Sequence, residues 1–189
     1  MNKLVKPTVA GKTAPAAPTV RREPRAFAFL KPRRITTTAP EIDLGGKAML
    51  AARVNDCIPA LARALVDHSI AVHNERGREN GTRQPIQLSV LNRRRRAARA
   101  WVQAVLSADV DAPTLHAVAT QWLPMLAGHG READVVARTI RQSVEFLRGA
   151  ITGVLFDEPE DNLLLHARAL HVLETVLGVH LAAAEEALR

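Results

Sequence analysis

Residues 131–189 read READVVARTIRQSVEFLRGAITGVLFDEPEDNLLLHARALHVLETVLGVHLAAAEEALR, two long apolar stretches around an acidic, proline-marked turn. In the first, Val136, Ile140, Val144, Leu147, Ile151 and Val154 or Leu155 recur at the three-and-four spacing of one helix face. In the second, the corresponding stripe is Leu163, Leu170, Leu173, Leu177, Leu181, Ala184 and Leu188, with Pro159 expected near the first helical position. Neither stripe can face water. The turn Phe156-Asp157-Glu158-Pro159 is too short for anything but antiparallel pairing, so this half predicts a helical hairpin as the floor of an all-α domain.

Working back toward the N-terminus, Asp111-Ala112-Pro113 is a helix start, and its stripe is Leu115, Val118, Trp122 and Met125 or Leu126. Pro124 is expected to interrupt the last turn, and Gly128-His129-Gly130 to end it. A further helix begins near Gln87, with Leu91, Ala98, Trp101 or Val102, and Val105 on one side. Asp43 is the expected N-cap of a first helix carrying Leu50, Val54, Cys57, Ile58, Leu61, Leu65, Ser69 and Val72. Pro59 must kink or split it, because the ring removes a donor and collides with the preceding turn. Five helices in a single globin-like or bundle domain over residues 41–189 are the expectation.

Residues 1–40 differ in kind. Six of the eleven prolines lie there, among Ala, Thr and Lys, which predicts a disordered, basic tail. The chain has a formal net charge of +7. Residues 1–34 carry nine Lys or Arg against Glu23 alone, so the rest of the chain is close to neutral. Within the tail, Ala26-Phe27-Ala28-Phe29-Leu30, flanked by Arg33 and Arg34, reads as a docking segment for a partner, an anionic surface or nucleic acid. Gly11-Lys12-Thr13 is not a phosphate-binding loop, since position 6 is Lys where the first glycine is required.

Chemistry is sparse. There is no Tyr and no nucleophile elbow, and no carboxylate pair lies inside an apolar stripe, so no enzymatic activity is expected. The single cysteine, Cys57, forms no internal disulfide and sits on the buried stripe as a small core residue. No apolar run approaches the roughly 18 residues of a membrane span, and a cytoplasmic protein is expected. His171 and Glu174 have a metal-binding spacing without matching ligands elsewhere, so no metal is assigned.

The run Arg93-Arg94-Arg95-Arg96 spans more than one helical turn and places Arg94 and Arg95 between Leu91 and Ala98 on the apolar side. A guanidinium there requires a partner, such as Glu145 or Asp56, or else lines a polar pocket for an anionic ligand. Arg94, Arg95, Trp101, Trp122 and His116 are the candidate ligand or partner pocket.

The succession QWLPMLAGHGRE, VVARTIRQSVEFLRGAITGVL and ALHVLETVLGVHLAAAEEAL, over roughly residues 86–189, resembles the N-terminal sensory domains of bacterial stressosome and related regulatory proteins, which are similar to globins that have lost their haem. The resemblance implies a signal-sensing or protein-interaction module, a homodimer joined largely by its last two long helices, and a separate protein partner. In the haem-binding sensor globins a proximal histidine stands a few residues before the glycine that opens the penultimate long helix. Here the positions four before Gly128 and Gly130 are Pro124 and Leu126, neither of which ligates iron, so no cofactor is expected. Alternatives from the residues alone are a basic-tailed dimer associated with nucleic acid, or a structural adaptor docking through its tail.

Overall fold

The computed structural model describes residues 40–79, 85–128, 132–157 and 162–189. Phe27, Phe29, Arg33 and Arg34 lie outside the described residues, as does the tail that carries them. Five helical segments make up the described part, and they are joined by loops without strands. The first comprises α1 (Leu44–Val54), a 3-10 turn (Asn55–Cys57) and α2 (Ile58–Glu79). Next come α3 (Leu88–Ser107), then α4 (Ala112–Ala117) running through a π-helical turn (Val118–Trp122) into α5 (Leu123–Ala127), and finally α6 (Ala133–Leu155) and α7 (Leu163–Leu188). The all-α expectation holds.

Local chemistry sets the ends of these elements. Asp43 caps α1 by accepting from the Gly45 amide at 3.0 Å, and Asp111 caps α4 by accepting from the Thr114 amide at 2.8 Å. Pro59 splits the first segment as expected: the 3-10 turn absorbs the bend and leaves the ring in the first turn of α2, where a missing N–H is harmless. Cys57 lies in that turn, half-buried and packed against the core.

Pro124 acts differently from the expectation. Helix continues past it to Ala127, because the preceding turn widens and the Leu123 amide donates to the Val118 carbonyl five residues back. The wider turn relieves the collision between the ring and the carbonyl four residues before it. Gly128, at φ 96°, then stops the segment in a conformation that side chains disfavour.

Helices α6 and α7 pair antiparallel, as two ion pairs between them fix: Arg141 with Glu185 at 2.7 Å and Arg148 with Glu174 at 3.1 Å. The α6 stripe is buried as read, with Leu155 inside and Val154 half-buried. The α7 stripe is rotated from its expected position. Ala169, Val172, Leu173, Val176, Leu177, Ala183 and Ala184 are buried, while Leu170, Leu181 and Leu188 are half-buried and Leu163 is 75% exposed. As described, the helix runs from Leu163, where the Asn162 side chain accepts from the Leu165 amide at 3.2 Å; Pro159 lies outside the described residues.

The rotation follows from how α1 meets α7. A Cβ on Gly46 would stand 2.5 Å from the Arg168 carbonyl oxygen and 2.9 Å from Val172. Gly46 lets the two backbones approach, and this brings Ala169 and Val172 of α7 into the interior. Leu50, Leu65, Trp101, Leu123, Leu147 and Leu173 fill the core so formed.

Candidate functional site

The five candidate pocket residues do not converge. On α3, Arg94 is 3% exposed and Trp101 fully buried, and their seven-residue separation puts both on the inner side. Arg95 points to solvent, His116 is exposed near the end of α4, and Trp122 is half-buried in the π-helical turn. Arg95 and His116 therefore cannot line an enclosed pocket with Arg94 and Trp101. Of the carboxylates expected beside Arg94, Glu145 meets Arg148 at 3.0 Å, and Asp56 lies exposed in the 3-10 turn without an ion pair among the described residues. A groove of about 240 Å3 does exist, but elsewhere, between the start of α6 and the end of α7. Ala133, Asp134, Ala137, Arg141, Glu185 and Leu188 are among the residues that line it. It is shallow and smaller than the roughly 300 Å3 at which small-molecule pockets begin.

Trp101 has a role that the sequence did not disclose. Its Nε1–H donates to Nδ1 of His180, on α7, at 3.2 Å. Because indole nitrogen only donates, that Nδ1 must carry the lone pair, and the ring's proton sits on Nε2. Nε2–H in turn donates to the Asp109 carbonyl at 3.0 Å. That carbonyl is aimed by the end of α3, where Ala108 turns left-handed at φ 54° and the Asp109 amide donates back to the Ala104 carbonyl. One neutral imidazole thus joins α3, the loop after it and α7. Burial pushes the His180 pKa below its ordinary 6.5.

The other interior polar groups are structural. His166 is buried, stacks on Phe156, and its Nε2 lies 2.9 Å from the Leu155 carbonyl across the α6–α7 turn. The hydroxyls of Ser69 and Ser143 donate to the carbonyls of Val66 and Thr139 in their own helices, so neither is presented to a base. Among the described residues, no three His, Cys, Asp or Glu side chains stand together as metal ligands, and no helix is long and apolar enough to cross a membrane.

On the surface the clearest feature is the outward side of α7. Leu164, Ala167, His171, Gly178 and Ala182 are exposed and follow one line along the helix, with half-buried Thr175 between them. Nothing stands within 4 Å of where a Cβ on Gly178 would be. The carboxylates bordering the line, Glu174 and Glu185, are held sideways by Arg148 and Arg141 of α6. The face is not sharply marked in the sequence, because Leu164, Ala167, Gly178 and Ala182 lie among its polar residues.

In comparisons with known proteins, no family model, no curated protein and no solved structure matches the chain.

Proposed function

We propose that this chain is a haem-free, globin-like regulatory module without catalytic chemistry of its own, which acts by protein contact as a homodimer and passes its signal to a separate protein partner. The supporting observation is the outward face of α7. One side of α7, from Leu164 to Ala182, carries Leu164, Ala167, Gly178 and Ala182 beside His171 and Thr175, and it lies open over roughly 27 Å at 1.5 Å per residue. Leu163 and Leu164 are 75% and 71% exposed at its start. A second copy related by a two-fold axis would lay the same line of small residues against itself, and such self-complementary faces are the commonest way identical chains pair. Its flanks are prepared for it, since Glu174 and Glu185 are already neutralised by arginines of the same chain.

The test is the mass of the full-length protein in solution by light scattering, alone and as Gly178→Arg. Because Gly178 has open space around it, arginine there fits the isolated fold but obstructs a facing helix. A wild-type dimer and a folded, monomeric variant are expected. A wild-type monomer at tens of micromolar, or a variant that still dimerises, would overturn pairing through α7. An absorbance band near 400 nm on the purified protein would overturn the haem-free part.

A further inference from the structure

Helix α3 carries five arginines and no Asp or Glu. Arg94 turns inward, and Arg93, Arg95, Arg96 and Arg99 are exposed. At 100° per residue these four fall within an arc of roughly 160°, with Asn92 and Gln103 at its centre. None of the four takes part in an ion pair or hydrogen bond among the described residues, whereas Arg141, Arg148 and Arg168 each meet a carboxylate. Moreover, Arg93 and Arg96, Arg96 and Arg99, and Arg95 and Arg99 are like charges three or four residues apart, an arrangement that weakens a helix. Nothing among the described residues offsets that repulsion. An anionic partner would.

We propose that the outer face of α3 binds the phosphate backbone of double-stranded DNA. All four cations are arginine, whose planar fork matches phosphate oxygens two at a time. The face has no aromatic side chain on which unpaired bases could stack, which disfavours single strands. Leu88, at the helix start, is its only large exposed apolar residue, so it lacks the apolar strip that carries a helix into a lipid surface. A helix fits the roughly 12 Å major groove of B-form DNA and not the narrow major groove of duplex RNA. The nine basic residues of positions 1–34 would add to attraction for the same polyanion. This inference does not rest on pairing through α7, and its failure would leave that reading untouched.

The experiment measures binding of the full-length protein to a fluorescent DNA duplex of roughly 20 base pairs, over roughly 50–200 mM salt. Two variants accompany the wild type: R93Q/R95Q/R96Q/R99Q, and a chain with the nine basic residues of positions 1–34 changed to Gln. The α3 variant should bind at least roughly tenfold more weakly, and its log–log salt slope should fall by about 3.6, or roughly 0.9 for each phosphate no longer neutralised. The tail variant should keep that part of the slope. Wild-type binding by the α3 variant, or binding abolished by the tail changes alone, would overturn the proposal. So would weaker affinity for an acidic peptide or for phosphatidylglycerol vesicles with duplex binding unchanged. Should the glutamine variant fail to fold, the four-lysine variant decides. Weakened binding at an unchanged slope supports the arginine contacts, and wild-type affinity overturns them.

Discussion

The indole N–H of Trp101 donates to Nδ1 of His180 across 3.2 Å in an interior where His180 has no exposed surface. A proton added to that nitrogen would set two donors against each other and charge a ring surrounded by apolar side chains.

Stability should therefore depend on pH in one direction. The His180 pKa is lowered in the fold by burial, so the unfolded chain takes up the proton first. The contribution is complete above about 6.5 and is lost as pH falls below it. His68, which stacks on Phe146 and is also lowered by burial, acts with the same sign. Thermal melting should show Tm falling from pH 7.5 to pH 5, and His180→Leu should remove most of that fall. At pH 7.5 the variant should lose about 1–3 kcal/mol, because the Trp101 N–H and the Asp109 carbonyl are left without their partner. A wild-type Tm that is flat over this range refutes the assignment.

Glycines in this fold should divide sharply by position. Gly46→Ala puts a methyl group into the backbone of α7 at Arg168 and should destabilise by about 1–3 kcal/mol. Gly149→Ala and Gly153→Ala meet open space on α6 and should each stabilise by about 0.5–1 kcal/mol through helix propensity. Urea unfolding of the three variants separates these signs.

Asp43 serves as helix cap and ion-pair partner at once, and substitutions can part the two roles. Asn keeps a cap acceptor for Gly45 but gives up the charge facing Arg168, so Asp43→Asn should lower Tm less than Asp43→Ala. The Arg168 hydrogen bonds hold the Asp43 pKa at about 2. Its stabilising effect is present above the ordinary 3.8 and is lost as pH falls through about 2, so acid unfolding of Asp43→Asn should show less of its pH dependence below 4. A variant titrating like the wild type would contradict this.

Asn162→Ala should lower stability by about 0.5–2 kcal/mol, because it leaves the first amides of α7 without their side-chain acceptor. Asn162→Asp should retain most of it. Thermal melts of the two decide whether the cap or the acidic residues before it set the start of α7.

How far the sequence could be read is seen by comparing α6 with α7. On α6 the apolar residues occupy a single face against polar ones, so Val136, Ile140, Val144, Leu147 and Ile151 can be named as buried from spacing alone. On α7 the polar residues mark the outward side less cleanly, because Leu164, Ala167, Gly178 and Ala182 lie among them and His166 and His180 lie inside. The large leucines draw the stripe toward Leu163 and Leu181, whereas the fold buries Ala169, beside the close approach of α1 at Gly46, and Ala183, against Leu115 and Ala119. Pro124 is legible as a disturbance, but its accommodation by one widened turn depends on tertiary packing around Leu123. The Trp101–His180 hydrogen bond joins residues 79 apart, which periodicity cannot connect. Of the arginines, Arg94 is inward as its spacing implies; Arg95, one step further round the helix, is exposed.

Arg168 grips both carboxylate oxygens of Asp43, at 2.6 Å each, between positions 125 residues apart. That clamp lies three residues after Pro40, where the described chain begins, and it ends on the helix proposed to pair with a second copy. A pull on the first 39 residues would thus reach α7 directly through this clamp, beside the core contact that Ile42 makes just before it. Mechanically, the entry of the chain and its last helix form one handle, and whatever takes hold of the tail takes hold of α7 with it.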